Sequence, residues 1–471
     1  MGSLSATLLL AQNALAANQA AIDITASNTA NANTPGYTRE VATWQEMDQV
    51  TLAGGQMVDG AQVTAVSQRD RVLQQRVDQQ YQTQQQTATR LSALTNAQQI
   101  FSAGAGGSGS ISTSINSFFS SLTQLAQNPT DGPTRTAALT AAQTLAASFN
   151  SASSQLSQQA TTLNGQVSGI TAQINGLTAQ IASLNHQIMT QEPTETDAGT
   201  LEDQRQQDIY QLSQYIGLNQ ISTEQNGLTL TTTGGATLVS GAQSFALSTA
   251  TVNGNTAVFS NATGTATDVT AGITGGTLGG TLAALSTDLP QIQSQLDTLA
   301  YGLAAQLNTV NTAGLDANGK PGGAIFSLPA AATTANPAGS AANISVALIS
   351  ASGFAAASTT EGTGGSTNAN ALAAVAQTAV ANGQTATGFY ASFIAALGSA
   401  VSTATDDNTT QTAVLSQTTS QNSALSGVSL DQEASNLTQY ERSYEAASKL
   451  FTIIDEVLAS VLNLGEQTTV S

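Results

Sequence analysis

The sequence predicts a mainly α chain with a β-rich inserted domain, elongated and nested, whose N- and C-terminal helices pair as a coiled coil. Three observations carry this. Leu4, Leu8, Ala11, Leu15, Asn18, Ile22 and Thr25 recur at alternating steps of four and three, and so do Tyr440, Tyr444, Ala447, Phe451, Ile454, Leu458 and Val461 at the other end. That spacing is the seam of a coiled coil. Neither helix can bury its stripe alone, so the simplest arrangement packs the two ends together. Between them the apolar period changes from helical to alternating and back, placing a β-rich stretch deep inside a helical frame.

The N-terminal helix stops at Asn33-Thr34-Pro35-Gly36-Tyr37-Thr38-Arg39. Proline presets φ near −65° and glycine accepts positive φ, so Pro35 and Gly36 suit the two central positions of a type II turn. Tyr37 and Trp44 are expected to anchor the following extended segment on the helical layer. Val41 to Val66, broken by Gly54-Gly55 and Gly60, reads as short strands. Arg69 to Phe101 returns to helix, and a second helix is expected from Ile111 to Ala126. Asn128-Pro129-Thr130-Asp131-Gly132-Pro133 is a dense turn signal, with Thr134 the expected cap of a long helix.

The later half of that helix has the cleanest periodicity: Leu156, Ala160, Leu163, Val167, Ile170, Ile174, Leu177, Ile181, Leu184 and Ile188. It spans about 33 residues, roughly 50 Å at 1.5 Å per residue. Gly165, Gly169 and Gly176 each cost about 1 kcal/mol relative to Ala, so packing must supply the stability. Glu192-Pro193 ends it, and Leu201 to Ile216 reads as another amphipathic helix. Leu228 to Val239 holds two β-rich runs across Gly234-Gly235, a hairpin signal, and Val252 to Ile273 adds further strand-like runs. Helix resumes over Leu278 to Val310, with its leucine stripe interrupted at Pro290; residues 311–385 are weakly patterned; a last helical region runs from 386 to 424. The expected division is residues 1–45 with 428–471 as the terminal coiled-coil domain, 46–225 with 278–315 and 386–427 as a helical bundle, and 226–277 with 316–385 as a β-rich or irregular outer domain.

Ten Lys and Arg against 29 Asp and Glu give 10 − 29 = −19 and a pI near 4.1, a surface that repels nucleic acid and anionic lipid. Only 8% of residues are charged, the polar bulk being Ser, Thr, Gln and Asn, so neighbouring copies can pack side by side. Cysteine is absent, which excludes thiolate chemistry and disulfides. The first basic residue is Arg39, so no cleaved signal peptide is expected, and no apolar run reaches the roughly twenty residues of a membrane span. His186 falls on a polar helix position, and Asp316-Ala317-Asn318-Gly319-Lys320 lacks the closing acid of a calcium loop, so it reads as a turn. Glu202-Asp203 and Asp406-Asp407 read as solvated helix ends. No metal, cofactor or catalytic constellation is expected, and the chain reads as no enzyme.

Asn31-Ala32-Asn33-Thr34-Pro35-Gly36-Tyr37-Thr38-Arg39 resembles the end of the N-terminal helix in axial proteins of the bacterial flagellum, most of all the hook-associated protein 1 family of hook-filament junction proteins. Leu201-Glu202-Asp203-Gln204-Arg205 with Gln211-Leu212-Ser213, Gly280 to Phe326, and Gly427-Val428-Ser429-Leu430-Asp431-Gln432-Glu433 continuing through Tyr440, Tyr444 and Ala447 resemble further stretches of that family. The resemblance covers most of the chain outside residues 240–275 and 330–385, and Gln432 departs from it, standing where an acid is expected.

The resemblance implies a junction ring between hook and filament, contacts with the hook protein, with the second junction protein (hook-associated protein 3) and with further copies of this chain, and a location on the extracellular flagellum. It also implies export by the flagellar type III pathway without a cleaved signal, with a dedicated chaperone on the C-terminal stripe. The expected assembly interface is Leu4, Leu8, Leu15, Ile22, Pro35, Gly36, Tyr37, Leu430, Tyr440, Tyr444, Phe451, Ile454, Leu458 and Val461. A secreted surface adhesin or coat protein is the alternative, suited by the Thr, Ser and Gly-rich middle but having no need of paired ends.

An isolated pair of Ala-rich helices buries little area. Both ends are therefore expected to be frayed in the free monomer and ordered in assembly. Amide hydrogen exchange checks this: fast exchange over both ends in monomer agrees, and strong protection there contradicts it.

Overall fold

In the computed structural model, which describes residues 2–34, 36–46, 50–51, 57–58, 60–102, 110–191, 198–222, 227–252 and 254–467, the frame is helical and the sheets are small. Helix α1 (Gly2–Asn31) leads into β1 (Glu40–Glu46), the two short strands β2 (Val50–Thr51) and β3 (Met57–Val58), and β4 (Ala61–Ser67). β1 and β4 pair antiparallel from Glu40 opposite Ser67 to Glu46 opposite Ala61, and β2 pairs with β3. The hairpin lies against α1. Its far half is solvated, so Trp44 stays 45% exposed rather than anchoring the segment as the sequence predicts.

Helices α2 (Arg71–Ser102), α3 (Ile111–Gln127), α4 (Gly132–Gln191) and α5 (Gly199–Tyr215) follow within three residues of their expected bounds. Asp131, not Thr134, caps α4: its carboxylate accepts from the Thr134 amide at 3.0 Å, because the helix begins three residues earlier than a cap at Thr134 predicts. α4 is 60 residues long, about 90 Å.

Strands β5 (Leu218–Ser222), β6 (Leu228–Thr232), β7 (Thr237–Ser240) and β8 (Gln243–Ser244) form one antiparallel sheet, and β9 (Leu247–Val252), β10 (Asn255–Ser260) and β11 (Thr267–Asp268) another. The Gly234-Gly235 hairpin joins β6 to β7. Then come α6 (Gly276–Ala283) and α7 (Leu289–Ala313), linked by one π turn over Ala284–Asp288. Pro290 has no amide to donate, and the widened turn just before it carries the helix past without a break. The π turn also presents Asp288 to Arg90 of α2 in a two-pronged pair at 2.9 Å.

Residues 314–385 hold β12 (Phe326–Ser327), α8 (Ser340–Asn343), β13 (Ser345–Val346) and α9 (Thr367–Ala374) before α10 (Ala386–Ser426) and α11 (Leu430–Gln467) close the chain. α10 packs along α2, and α3, α4 and α7 complete one continuous apolar core containing Phe118, Leu145, Phe149, Leu299 and Phe326. Asp406-Asp407 are exposed as expected but sit mid-helix in α10, not at an end.

The seam of α4 is rotated from its expected line. Val167, Ile174, Ile181 and Ile188 are buried, alternating with Thr171, Thr178 and Asn185, while Ile170, Leu177 and Leu184 are half-buried. The reason is what α4 meets. Asn175 donates to the Leu247 carbonyl and accepts the Leu247 amide, both at 2.8 Å, and Asn164 accepts the Thr256 amide at 2.7 Å; Asn185 donates to the carbonyls of Leu228 and Gly241. Side-chain amides on the helix thus serve as pairing partners for strand edges, which a purely apolar seam would leave unsatisfied.

The weakly patterned region is held by the same device. Buried Asn311 joins the Gly323 and Gly353 carbonyls and the Ala355 amide, and Asp297 accepts from the Gly339 and Ala341 amides. That region docks on the first third of α4, through Arg135 and Asn150, whereas the strands of 218–268 dock on residues 164–185. Residues 226–277 and 316–385, grouped as one outer domain from sequence, thus occupy separate stretches of α4.

Asp78 of α2 is fully buried beneath α5 and β5 with three glutamines as donors and, among the described residues, no cation paired to it: Gln206 and Gln220 at 2.9 Å and Gln74 at 3.5 Å. Burial pushes its carboxyl from 3.8 up to about 6, against the lowering effect of the three amides. The folded chain therefore takes up this proton before the unfolded chain does. Stability from Asp78 is full below pH 3.8 and lost as pH rises through about 6. Asp78→Asn is expected to raise the Tm at pH 7.5, by at most roughly 3 kcal/mol of stability, with the gain fading by pH 4; thermal melts of both proteins across that range check it.

Candidate assembly interface

The turn motif, the first turn of α11 and the start of α5 converge in the fold on one polar joint. α1 ends in a turn in which the Tyr37 amide donates to the Thr34 carbonyl at 3.2 Å and Gly36 adopts φ +82°, as a type II turn requires. Pro35 lies outside the described residues. The turn lays Tyr37 back on its own helix, where its hydroxyl donates to Asn28 Oδ1 at 2.9 Å; half-burial of the ring edge raises the phenol above its ordinary value.

Asn28, 1% exposed, is the hub. Its Oδ1 also accepts the Glu40 amide at 2.9 Å, and its Nδ2 donates to the Glu40 carbonyl at 2.7 Å and to Glu433 Oε2 at 3.2 Å. The other oxygen of Glu433 receives Arg39 Nε at 2.7 Å, in an ion pair whose side chains are 11% and 1% exposed. The Arg39 amide donates to the Ser426 carbonyl, Arg39 Nη1 donates to Gln68 Oε1 at 3.3 Å, and the Gln68 amide closes on the Arg39 carbonyl. One short segment thereby ties α1, β1, β4, the end of α10 and the start of α11.

A second knot fixes this joint to the helical frame. Thr38 Oγ1 donates to Asp203 Oδ1 at 3.0 Å, and Arg69 bridges Asp203 and Glu202, the latter at 2.7 Å. Glu202 and Asp203 are therefore structural partners, not solvated helix ends, because α5 starts directly beside the turn. The only signal in the sequence was scarcity: with 8% of residues charged, two adjacent acids and two nearby arginines are informative. Nothing marked Asn28 or Gln68 as special, and Glu433 stood out only as the end of the stretch from Gly427 to Glu433, not as a partner of Asn28 and Arg39, since those partners lie up to 405 residues away.

Because Asn28 near the end of α1 meets Glu433 at the start of α11, the two terminal helices run antiparallel against each other. The buried line of α1 is Ala11, Asn18, Ala21, Thr25 and Asn28. Leu4, Leu8, Leu15 and Ile22 flank it half-buried. Small residues occupy the line of closest approach and larger ones its edge. On α11, Ile454 is buried, Tyr440, Phe451 and Leu458 are half-buried, and Leu430, Tyr444 and Val461 are exposed, as is Gly36. Asn18 and Thr25 bond to carbonyls of their own helix, Ala14 and Ala21, so neither reaches across the pair; Asn28 does. α11 also carries a second apolar stripe, Leu450, Ile453, Val457 and Val461, between 39% and 58% exposed. His186 is exposed, and Asp316 closes its own turn by accepting the Asn318 and Lys320 amides, which holds its carboxyl low.

Three family models match the chain: the flagellar hook-associated protein FlgK helical domain over residues 94–326, the flagellar basal body rod FlgEFG protein C-terminal model over 420–464, and the flagella basal body rod protein model over 8–38. The flagellar hook-associated protein 1 of Bacillus subtilis is 29% identical over 96% of this chain and 97% of its own. That of Salmonella typhimurium is 26% identical over 68% of this chain and 58% of its own. The structure of the flagellar hook junction protein FlgK from Burkholderia pseudomallei superimposes with a TM-score of 0.66 at 21% identity, covering 74% of this chain and 100% of that one, and shares the fold. None of these findings supports an adhesin.

Removing Glu433 leaves Arg39 buried without its counter-charge and Asn28 short of an acceptor. Glu433→Ala is expected to cost about 3 kcal/mol and to speed amide exchange over the joint itself, residues 28–40 and 430–440 together, which its buried bonds keep protected in the monomer while the helix stretches beyond it exchange fast, as measured by hydrogen exchange. Unchanged protection on the α1 side would show that the joint is not shared. Gly36→Ala, forced to φ +82°, is expected to cost about 1 kcal/mol in the same assay.

Proposed function

We propose that this chain, which belongs to the flagellar hook-associated protein 1 family, is a structural subunit of the bacterial flagellum that forms the junction between hook and filament and is required for the filament to assemble. The observation that carries the assembly role is the unfinished burial of the terminal pair. An α1–α11 couple that satisfies itself would hide both apolar stripes, yet here the larger residues of α1 are half-covered and α11 keeps a second stripe in water. A helix apolar on adjacent faces needs more than one neighbour. Further copies, the hook protein and the second junction protein, hook-associated protein 3, are the proposed neighbours.

The seven-residue spacing of the stripes supports a coiled coil for the pair, with residues 1–45 and 428–471 as the inner tube and the α2–α10 frame outside it. Leu4, Leu8, Leu15, Ile22, Tyr440, Phe451, Ile454 and Leu458 are the proposed inner contacts, with Leu430, Tyr444 and Val461 reaching the neighbours. Pro35, Gly36 and Tyr37 set the angle at which the tube meets the frame. The −19 charge is spread thinly enough for copies to pack, and long-range repulsion keeps free chains apart. Export through the flagellar type III pathway without a cleaved signal is part of the proposal because the family resemblance implies it, and the exposed apolar face of α11, which needs shielding until assembly, supports a chaperone on the C-terminal stripe. The chain acts as a joint, not an enzyme, on the extracellular flagellum.

A strain expressing the chain without residues 430–471 is expected to build hooks, to swim poorly and to leak filament protein into the medium. Normal filaments with reduced surface attachment would instead favour the adhesin. Ile453→Asp with Val457→Asp, both exposed in the single chain, is expected to leave the monomer melt unchanged while abolishing filament growth.

A further inference from the structure

At the end of α4 remote from the joint, Arg135 is 4% exposed yet has no carboxylate within ion-pair distance among the described residues. Its Nε donates to the Pro129 carbonyl at 2.7 Å, and its Nη1 to the carbonyls of Phe354 at 2.7 Å and Ser352 at 3.4 Å. Nη2 meets no acceptor among the described residues, and it is not among the polar atoms sealed from solvent without a partner. Asp316 acts on the guanidinium only from a distance, its carboxylate being engaged by its own turn. Tying three loop carbonyls explains two nitrogens but not the charge, since a neutral amide donates to carbonyls equally well. A buried cation held by dipoles alone is costly.

Arg135 lines an open cleft of about 880 Å³. Around it stand the hydroxyl-bearing Thr130, Ser350, Ser352 and Thr363 and the flat apolar faces of Pro129 and Pro133. This is room for a ligand the size of one or two sugar rings, with one charged anchor and a hydroxylated rim. A guanidinium with a free nitrogen pairs with a carboxylate, and hydroxyl groups on the wall match hydroxyl groups on the ligand.

We propose that this cleft binds a small hydroxylated carboxylate of the uronic-acid type, its carboxylate on Arg135 Nη2 and its hydroxyls along Thr130, Ser350, Ser352 and Thr363. The site stands about 75 Å along α4 from Asn185 and the joint-side end of the frame, clear of the terminal helices. It can therefore be occupied without disturbing assembly.

The test uses the full chain and D-glucuronate as probe, with D-glucose as the uncharged control and acetate as the bare carboxylate. Calorimetry and ligand-observed NMR are expected to give saturable glucuronate binding on the order of millimolar and none for glucose or acetate. Arg135→Gln is expected to weaken it by roughly tenfold or more. Because Arg135 also holds loop carbonyls, Thr363→Trp provides the second arm: this exposed rim residue fills the cleft without touching the guanidinium's bonds, and binding should fall as far while the melt stays unchanged. Absence of saturable binding, equal binding of acetate, or glucuronate binding that survives Thr363→Trp would overturn the proposal.

Discussion

The molecule depends on one buried carboxylate. Glu433, in the first turn of the last helix, takes Arg39 on one oxygen and Asn28 on the other, and through them holds the end of α1, the first strand and the exit from α10 in a fixed relation. A charge this deep is tolerable only because it is paired and each of its oxygens accepts a hydrogen bond. That requirement makes the joint all-or-none: loosening any member exposes another to the cost of burial without a partner. A directed polar knot fixes the angle between the elements it joins, where a purely apolar contact would let them slide.

Above the joint the same chemistry recurs in milder form. Asparagines on the long helices clamp strand edges and loop backbones: Asn164, Asn175 and Asn185 on α4, Asn308 and Asn311 on α7. A side-chain amide sets N–H donors beside a carbonyl acceptor in the spacing of a peptide group, so it extends a small sheet by one pairing. This explains how the strands after α5, only two to six residues long, persist in a chain with 4% aromatic residues. It also explains why the frame uses so few charges, since amides satisfy backbone groups without a desolvation penalty on an ion.

The terminal pair follows a different rule. Its line of closest approach is small residues and its edges are leucines and isoleucines left half in water. Area of this kind contributes little inside one chain and much between many. Stability is thus divided unevenly: the α2, α3, α4, α7 and α10 core carries most of the buried apolar area, and the terminal stripes are left half in water.

Nearly every long helix and the Gly234-Gly235 hairpin were legible in the sequence, because helical and alternating periodicities, and stops such as Gly36 or Asp131-Gly132-Pro133, act over a few residues. The flagellar character was legible too, through Asn33 to Arg39 and Gly427 to Glu433. The sequence could not show which side of a stripe faces inward. On α1 the buried line passes through Ala21 and Asn28 rather than Ile22, and on α4 through Thr171, Thr178 and Asn185 rather than Ile170, Leu177 and Leu184, because the partner surface and not the period selects the face. Nor could it show that Glu433, Asp203 and Arg69 belong to one knot. Local forces set the elements; pairing of charges and amides hundreds of residues apart is decided only when the chain folds and desolvation removes every alternative partner.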